Sequence, residues 1–512
     1  MTSDSGSILA RNSVFNVFRV LVLIPLFLFT TGYIVKSLGK EHFGIWALAS
    51  VMSSYVQLSD FGITESLVKF IAEYHAKNEK EVINIFLNTA AAFFAFSFMA
   101  VYPLSYIAIP YISEVILRIP AQFQAESIYI FRLVIILLFS NLFIGILGAL
   151  LNGLQRMEYP GICTVLNSVI FALGVVYFLS NGYGLIGLIY STACSSFFTL
   201  IYYYIYSKKL FPSLRIRPIF YFRLYALRTI LGYGWKIYVI GLTQLFVFQF
   251  DRIVLSNFTG LVSVSYYELG NRISFPIRGV ISTFFSPLIP ATSSMYATSK
   301  EDFMVGLYKR SFKYMAVISL PVSILIISLS KPFFLLWMGP GYEISAYTNQ
   351  ILMAAYAMNL FIGPGAYILS GANKPHIGMF STILSGLLNI ILCLFLINRI
   401  GYYGIPISIL VSLFAGLLLF IYLLHRNISG IQWSFYVDSL KAPFLLSIVL
   451  GSIIFIINNL FATASYSILF IESALFVIIF SAIIYKTAYF DDFDKALLKR
   501  LLTGKLLSTR QP

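Results

Sequence analysis

Apolar runs of 18 or more residues recur along the whole chain. Each is long enough to cross a hydrocarbon layer of roughly 30 Å. In lipid the backbone has no water to bond, so a crossing segment must satisfy its own N–H and C=O groups. The ten-residue alternation of a β-barrel is absent from these runs. The expectation is an all-α integral membrane chain with 14 transmembrane helices. The windows are 14–36, 43–65, 82–107, 128–152, 162–180, 184–206, 233–257, 262–290, 312–336, 346–370, 376–398, 403–424, 441–461 and 466–486. Composition agrees, with 59% of 512 residues hydrophobic and 11% charged, against about 25% charged in a soluble domain. A water-soluble enzyme and a large soluble domain are both excluded on this reading.

Charge then sets the orientation. Lys and Arg number 35 against 20 acids. With the N-terminus inside, 25 of the 35 fall on inside segments and the window ends adjoining them, five on outside loops and the window ends adjoining them, and five, Arg19, Arg132, Arg252, Arg272 and Arg278, deeper within windows. Cytoplasmic loops carry such an excess, so both termini are expected in the cytoplasm. The net +15 is then a topology signal, aided by anionic inner-leaflet lipids, and nucleic acid is not an expected partner. The segment 207–232 carries Lys208, Lys209, Arg215, Arg217, Arg223 and Arg228 with no acid, and interleaves Phe220, Tyr221, Phe222 and Tyr225. It reads either as an interfacial amphipathic helix or as a basic linker. The N-terminal run is too long for a signal-peptide core and lacks a cleavage pattern, so it is expected to be retained.

An internal repeat divides the chain. Leu142-Phe143-Ile144-Gly145 with Leu151-Asn152-Gly153 returns as Leu360-Phe361-Ile362-Gly363 with Leu369-Ser370-Gly371. Arg156 and Lys374 follow the two copies, and Gly182-Tyr183-Gly184 reappears as Gly401-Tyr402-Tyr403-Gly404. The offset spans six windows, an even number, so the copies share orientation. That is a parallel repeat about an axis along the membrane normal. The expected domains are a six-helix lobe 1–206, the linker 207–232, a second six-helix lobe 233–424, an extra helix pair 425–486 and a cytoplasmic tail 487–512.

Ionised residues inside the windows cost about 2.5–3.5 kcal/mol each at mid-membrane and mark candidate function. Reflection about the turn near Gly39 and Lys40 puts Arg19 and Asp60 at one depth. Reflection about Thr259 and Gly260 gathers Asp251, Arg252, Glu268 and Arg272, with Glu268 and Arg272 also i, i+4 neighbours. These read as inter-helix ion pairs or as ion-coupling groups. Arg278 is mirrored by Gly241, not by an acid. It is therefore expected to need an anion, and Arg272 and Arg278 are expected to line a central cavity and meet phosphate. Guanidinium suits that role because it binds phosphate bidentately and stays charged when desolvated. Pro25, in the middle of the first window, is a candidate gating kink. Glu472 reads as a shallow acid reaching water.

Other patterns carry less. Gly182-x-Gly184-x-x-Gly187 has no strand before it, which rejects a dinucleotide site. His42, His75, His376 and His425 lie at window edges and form no metal pattern, and Cys163, Cys194 and Cys393 suggest neither disulfide nor metal. Asp491-Asp492-x-Asp494 reads as solvated charge. No catalytic constellation is present, so an enzyme is not expected.

The stretch Leu38-Gly39-Lys40-Glu41-His42-Phe43-Gly44-Ile45-Trp46-Ala47-Leu48 resembles the first outside turn of oligosaccharide flippases. So does Gln57-Leu58-Ser59-Asp60-Phe61-Gly62-Ile63 followed by Lys69-Phe70-Ile71-Ala72-Glu73, and Asp251-Arg252 with Gly260 and Tyr266 resembles the opening of their second half. The chain resembles a polysaccharide transporter of the Wzx type, in the multidrug/oligosaccharidyl-lipid/polysaccharide exporter superfamily. That resemblance implies two six-helix lobes forming a V around a central cavity, plus two extra C-terminal helices, in a bacterial inner membrane. It implies translocation of polyprenyl-diphosphate-linked sugar units, such as O-antigen units, from the cytoplasmic to the outer leaflet. Arg272, Arg278 and Arg19 would be the cationic substrate-binding residues. Coupling to a proton or sodium gradient would fall to Asp60, Asp251 or Glu268, with no cofactor or metal. Membrane lipids, a polysaccharide polymerase and a chain-length regulator would be the other partners. The competing readings are a cation-coupled drug antiporter of the same superfamily and a membrane-embedded polysaccharide polymerase or ligase.

Overall fold

The computed structural model describes residues 3–289, 292–293, 301–372, 374–428, 430–461, 465–487 and 489–496; among them, the side chains of 3–22, 236, 237, 240 and 301–303 are not described. The described backbone is helical with no strand. Nine helical stretches among the described residues are long and apolar enough to cross a membrane, one of them, His376–Asn427, covering two of the expected windows. The window 14–36 is helical, 43–65 and 233–257 are helical apart from turns at Phe61–Gly62 and Gln249, and 262–290 is helical as far as Thr283; none of the four is among the nine. The chain divides into two compact units, residues 1–265 and 266–512.

The first unit begins with α1 (Ser3–Val56), two helices joined across Gly39, whose φ 80° and ψ 176° interrupt the helical torsions. Pro25 lies inside the first of them, where the torsions remain helical. There follow α2 (Ile63–Ala76), α3 (Lys80–Tyr111), α4 (Ala121–Gly153), α5 (Glu158–Ser180), α6 (Gly184–Leu210), α7 (Leu224–Phe248) and α8 (Phe250–Thr259). α5 packs on α6, α6 on α4 and α4 on α2. Phe96, Met99, Leu104 and Ile107 of α3 point outward, each at least two-thirds exposed. Such an outward apolar face suits a lipid solvent and not water. Gly182 and Gly184 take φ 79° and 57° in the turn from α5 to α6, so the glycine pattern there serves a tight reversal.

Two turns in this unit are built alike. Gly260, between α8 and α9 (Leu261–Thr283), has φ 85° and ψ 177°, nearly the values of Gly39. L side chains rarely adopt such torsions, which is why glycine stands at both positions. The segments after the two glycines then meet reciprocally. A Cβ on Gly44 would collide with Leu261 O, and Ser265 Oγ donates to Lys40 O. Leu261 and Ser265 follow Gly260 by the same one and five residues that separate Lys40 and Gly44 from Gly39. Residue one of each segment thus touches residue five of the other, the signature of a two-fold relation.

The stretch 211–228 is held down. Asn84 and Asn88 are four residues apart on α3, about 6 Å along the helix, which matches two residues of extended chain at about 6.6 Å. Asn84 accepts from Arg215 N at 2.8 Å and donates to Ser213 O at 2.9 Å. Asn88 accepts from Arg217 N and donates to Arg215 O, both at 2.6 Å. Each amide therefore replaces a neighbouring strand, and both asparagines are buried. Arg223 N donates to Thr89 Oγ1 at 3.2 Å. Neither a loose linker nor a continuous amphipathic helix occupies 207–232. α6 ends at Leu210, the clamped chain follows, one helical turn covers Pro218–Tyr221, and α7 begins at Leu224.

The second unit takes most of α9, then α10 (Glu301–Met338), α11 (Glu343–Leu360), α12 (Ile362–Gly371), α13 (His376–Ile400), α14 (Gly404–Asn427), α15 (Trp433–Phe461) and α16 (Tyr466–Lys486). α13 packs on α14, α10 on both α11 and α15, and α11 on α14. One buried cluster joins Tyr308, Phe312, Phe361, Phe420 and Tyr436. Glu472 of α16 accepts from Asn458 Nδ2 of α15 at 2.8 Å, so this shallow acid has a partner on the adjacent helix.

The tail reverses one expectation. Asp494 is not solvated: its side chain is 1% exposed, 2.7 Å from Lys313 Nζ and 3.9 Å from Arg310 Nη1. Tyr314 Oη donates to it at 2.5 Å, and Tyr489 Oη donates to Ser439 O at 2.8 Å. The chain after α16 folds back onto α10, which brings the carboxylate to two donors, Lys313 and Tyr314, and to the Arg310 charge, all 180 or so residues away in sequence.

Candidate functional site

α9 presents a polar stripe. Glu268, Asn271, Arg272, Ser274, Arg278 and Ser282 recur at three- and four-residue intervals, the spacing of one helix face. A helix that carries charge among apolar neighbours must find polar partners for it, and α11 and α12 supply several of them. Ser274 Oγ bonds Asn349 Oδ1 at 2.6 Å, and Asn349 Nδ2 donates to Ser330 Oγ of α10 at 2.9 Å. Tyr356 Oη donates to Asn271 Oδ1 at 2.7 Å. Ser282 Oγ and Tyr367 Oη lie 2.7 Å apart. The face of α9 that packs on α11 is small at Gly270, where a Cβ would come within 2.9 Å of Thr348.

The two candidate arginines differ in their partners. Arg272 Nε donates to Glu268 Oε1 at 3.2 Å, one turn back on the same helix, and the two side chains are only 14% and 12% exposed. Arg278 Nε donates to Asn359 Oδ1 at 2.8 Å. Its guanidinium carbon lies 5.7 Å from the Phe275 ring centroid and 5.8 Å from that of Tyr356. The expectation that Arg278 would find no protein partner is therefore corrected: an amide oxygen 81 residues away orients it. The contact orients the guanidinium, whose planar N–H fork is of a kind that suits a phosphate oxygen.

The remaining candidates lie in the first unit. Asp251 and Arg252 of α8 are buried, at 0% and 4% exposure, with Arg252 Nη1 donating to Phe248 O at 2.5 Å. Tyr55 at the end of α1 lies within electrostatic reach of both. Glu268 and Arg272 belong to the other unit. Asp60 accepts from Thr64 N at 3.1 Å and Thr64 Oγ1 at 2.8 Å, which caps the start of α2. The side chain of Arg19 lies outside the described residues, so the Arg19–Asp60 pairing does too. The turn beside Asp60 explains its own sequence. Phe61 and Gly62 have φ 49° and 71°, and a Cβ on Gly234 of α7 would sit 2.6 Å from Phe61 O.

Reading charges alone found Glu268, Arg272 and Arg278 but not Asn271, Ser274, Asn349, Tyr356, Asn359 or Tyr367. Counting all polar residues at helical spacing along 268–282 reveals the α9 half. The partners on α11 and α12 have no comparable signal.

Solved structures of two membrane transporters share this fold. The lipid II flippase MurJ in an inward closed conformation superposes with a TM-score of 0.72 at 14% identity, covering 92% of this chain and 99% of that one. An inward-facing multidrug resistance MATE family transporter of the MOP superfamily gives 0.70 at 16% identity, covering 81% and 98%. Likeness at these identities establishes the fold. Residues 9–296 match the family described as polysaccharide biosynthesis protein, and residues 237–395 match the MatE family. The chain belongs to the polysaccharide biosynthesis protein family. A Shigella flexneri protein provisionally named an O-antigen transporter is 22% identical, over 78% of this chain and 93% of its own. A membrane protein of Methanocaldococcus jannaschii is 24% identical over 74% and 76%, and the Bacillus subtilis membrane protein EpsK is 22% identical over 84% and 85%.

Proposed function

We propose that this chain moves polyprenyl-diphosphate-linked oligosaccharide units from the cytoplasmic to the outer leaflet of a bacterial inner membrane by alternating access, without making or breaking a bond. Fourteen helices cross the membrane, with both termini in the cytoplasm. The observation that carries the reading is Arg278, oriented by the Asn359 amide on the same α9 stripe as the Arg272–Glu268 pair. A diphosphate headgroup is the part of the substrate that hydrocarbon excludes most strongly, and a fixed guanidinium offsets its desolvation. Arg272, held by Glu268, can exchange that carboxylate for a phosphate oxygen as the headgroup arrives. Asp60, Asp251 and Glu268 are the groups through which a proton or sodium gradient would couple. The MatE match over 237–395 supports a second reading, a cation-coupled drug antiporter, in which Glu268 and not the arginines contacts the cargo.

The test scores surface polysaccharide in cells whose own flippase is deleted, at matched protein levels. Arg278→Ala is expected to lower the polymer at least tenfold, and Arg278→Lys to recover part of it. Unchanged polymer in both Arg272→Ala and Arg278→Ala overturns the assignment. Loss of drug resistance in Glu268→Gln with polymer intact favours the antiporter.

A further inference from the structure

The stretch 213–228 combines a sealed inner side with an unusual outer one. Inward, Leu214, Ala226 and Ile230 are buried, and the Asn84 and Asn88 amides occupy the main chain of 213–217. Outward, Arg215, Arg217, Arg223 and Arg228 are exposed beside Ile219 at 89%, Phe220 at 74%, Leu224 and Tyr225. Arg215 Nη1 donates to Tyr221 Oη at 2.7 Å, and Arg223 Nη1 to Phe222 O at 2.8 Å, which fixes these two side chains along the ridge. Glu81 Oε1 lies 3.8 Å from Arg215. No acid occurs within 207–232.

Large apolar side chains that stand this far out of a fold cost free energy in water and gain it at a lipid boundary. Arginines between them are then carried to the depth of the headgroups, where a basic side chain is attracted to anionic lipid. A solvated linker would need the charges but not Ile219 and Phe220. A protein partner's surface is a poorer match than a bilayer, because the segment joins α6 to α7, two helices that themselves carry exposed large apolar side chains, among them Ile201, Ile205, Tyr233 and Trp235. We propose that 213–228 is a preformed site for anionic phospholipid headgroups of the phosphatidylglycerol type, on the leaflet that the Lys and Arg distribution assigns to the cytoplasm. The clamp from α3 sets the spacing of its arginines before lipid binds, so the ordering cost falls on folding and not on binding. The proposal requires residence in a membrane and stands whatever cargo the chain carries.

Native mass spectrometry of the detergent-solubilised full chain, titrated with phosphatidylglycerol and separately with phosphatidylcholine, tests it. Phosphatidylglycerol is expected to bind more tightly, with the preference falling about fivefold for each charge removed in Arg217→Gln and Arg228→Gln, since one headgroup contact is worth roughly 1 kcal/mol. The preference is expected to shrink with added salt. Asn88→Ala keeps every charge but frees the chain, and is expected to weaken the preference as well; an unchanged value there removes the preformed clamp from the proposal. Equal binding of the two lipids to the parent chain, or a preference untouched by both arginine variants at unchanged melting temperature, overturns it. Displacement of bound phosphatidylglycerol by millimolar inorganic pyrophosphate also overturns it, since the site would then be one for a diphosphate.

Discussion

The arginines of α9 and those of 213–228 meet the same physical demand in opposite ways. On α9 the guanidiniums are drawn in, and side chains come to them: Glu268 to Arg272 and Asn359 to Arg278. On 213–228 the guanidiniums stand out, and side chains go instead to the backbone that bears them, through Asn84, Asn88 and Thr89. In the first region polar groups orient a charge; in the second they position a chain whose charges remain exposed. The difference predicts that substitutions of matching chemistry will fail in different assays.

The largest effect is expected for transport at the inward arginine. Arg278→Ala removes a charged group with a well-placed partner, worth about 1.5–3 kcal/mol, or roughly 10- to 150-fold in flux if the contact forms with the headgroup in transit. Arg217→Gln, scored in the same polymer assay, is expected to leave flux within about twofold. Equal losses in both would erase the distinction between the two regions.

The tail supplies a third arrangement that sharpens the comparison, a carboxylate that is both sealed and paired. Burial by itself raises the Asp494 carboxyl, but hydrogen bonds from Lys313, Tyr314 and the Asp491 backbone outweigh it and hold the group below the usual aspartate range. A depressed folded value means the contribution is complete above the unfolded value of about 3.9 and is lost as pH falls through the folded one. Asp494→Asn is expected to cost about 2–3 kcal/mol at pH 7, read as a lower melting temperature and faster hydrogen exchange in 489–496. In the parent chain that exchange should stay slow at pH 5 and rise only below about pH 4. A tail equally protected in the variant would mean that Tyr489 and its apolar neighbours hold it without the ion pair.

Much of the fold was legible because lipid leaves few choices. The apolar windows fall on helices, and the turn glycines Gly39 and Gly260, quoted for their resemblance to a family, prove to share torsions that few other residues adopt. The site was legible only in half. Glu268, Arg272 and Arg278 announce themselves as charges in apolar sequence, whereas Asn359 and Tyr356 are ordinary residues until folding brings α11 against α9. Hairpin reflection uses only local chain reversal, so it could suggest neither an amide 81 residues from Arg278 nor the 181 residues between Lys313 and Asp494. Asn84 and Asn88 carry no charge, so a search for charges in apolar sequence passes over them. Nothing in the sequence said that the partner would be backbone 130 residues later.

The smaller expected effects belong to the clamp itself, and they separate its two parts. Asn88→Ala leaves Arg217 N and Arg215 O without their partners. Because this edge is near solvent, water replaces part of the loss, and the cost is expected at about 1–2 kcal/mol. Arg217→Gln touches only an exposed side chain and should stay within about 0.5 kcal/mol. Limited trypsin digestion distinguishes them, since cleavage after Arg215 needs the chain to leave α3, while the Arg217–Pro218 bond resists trypsin. Asn88→Ala should speed cleavage after Arg215 several-fold, while Arg217→Gln leaves the rate at Arg215 unchanged. Equal rates at Arg215 in parent and Asn88→Ala would show that Asn84, Leu214 and Ala226 hold the segment alone, and the role assigned to the second amide would pass to them.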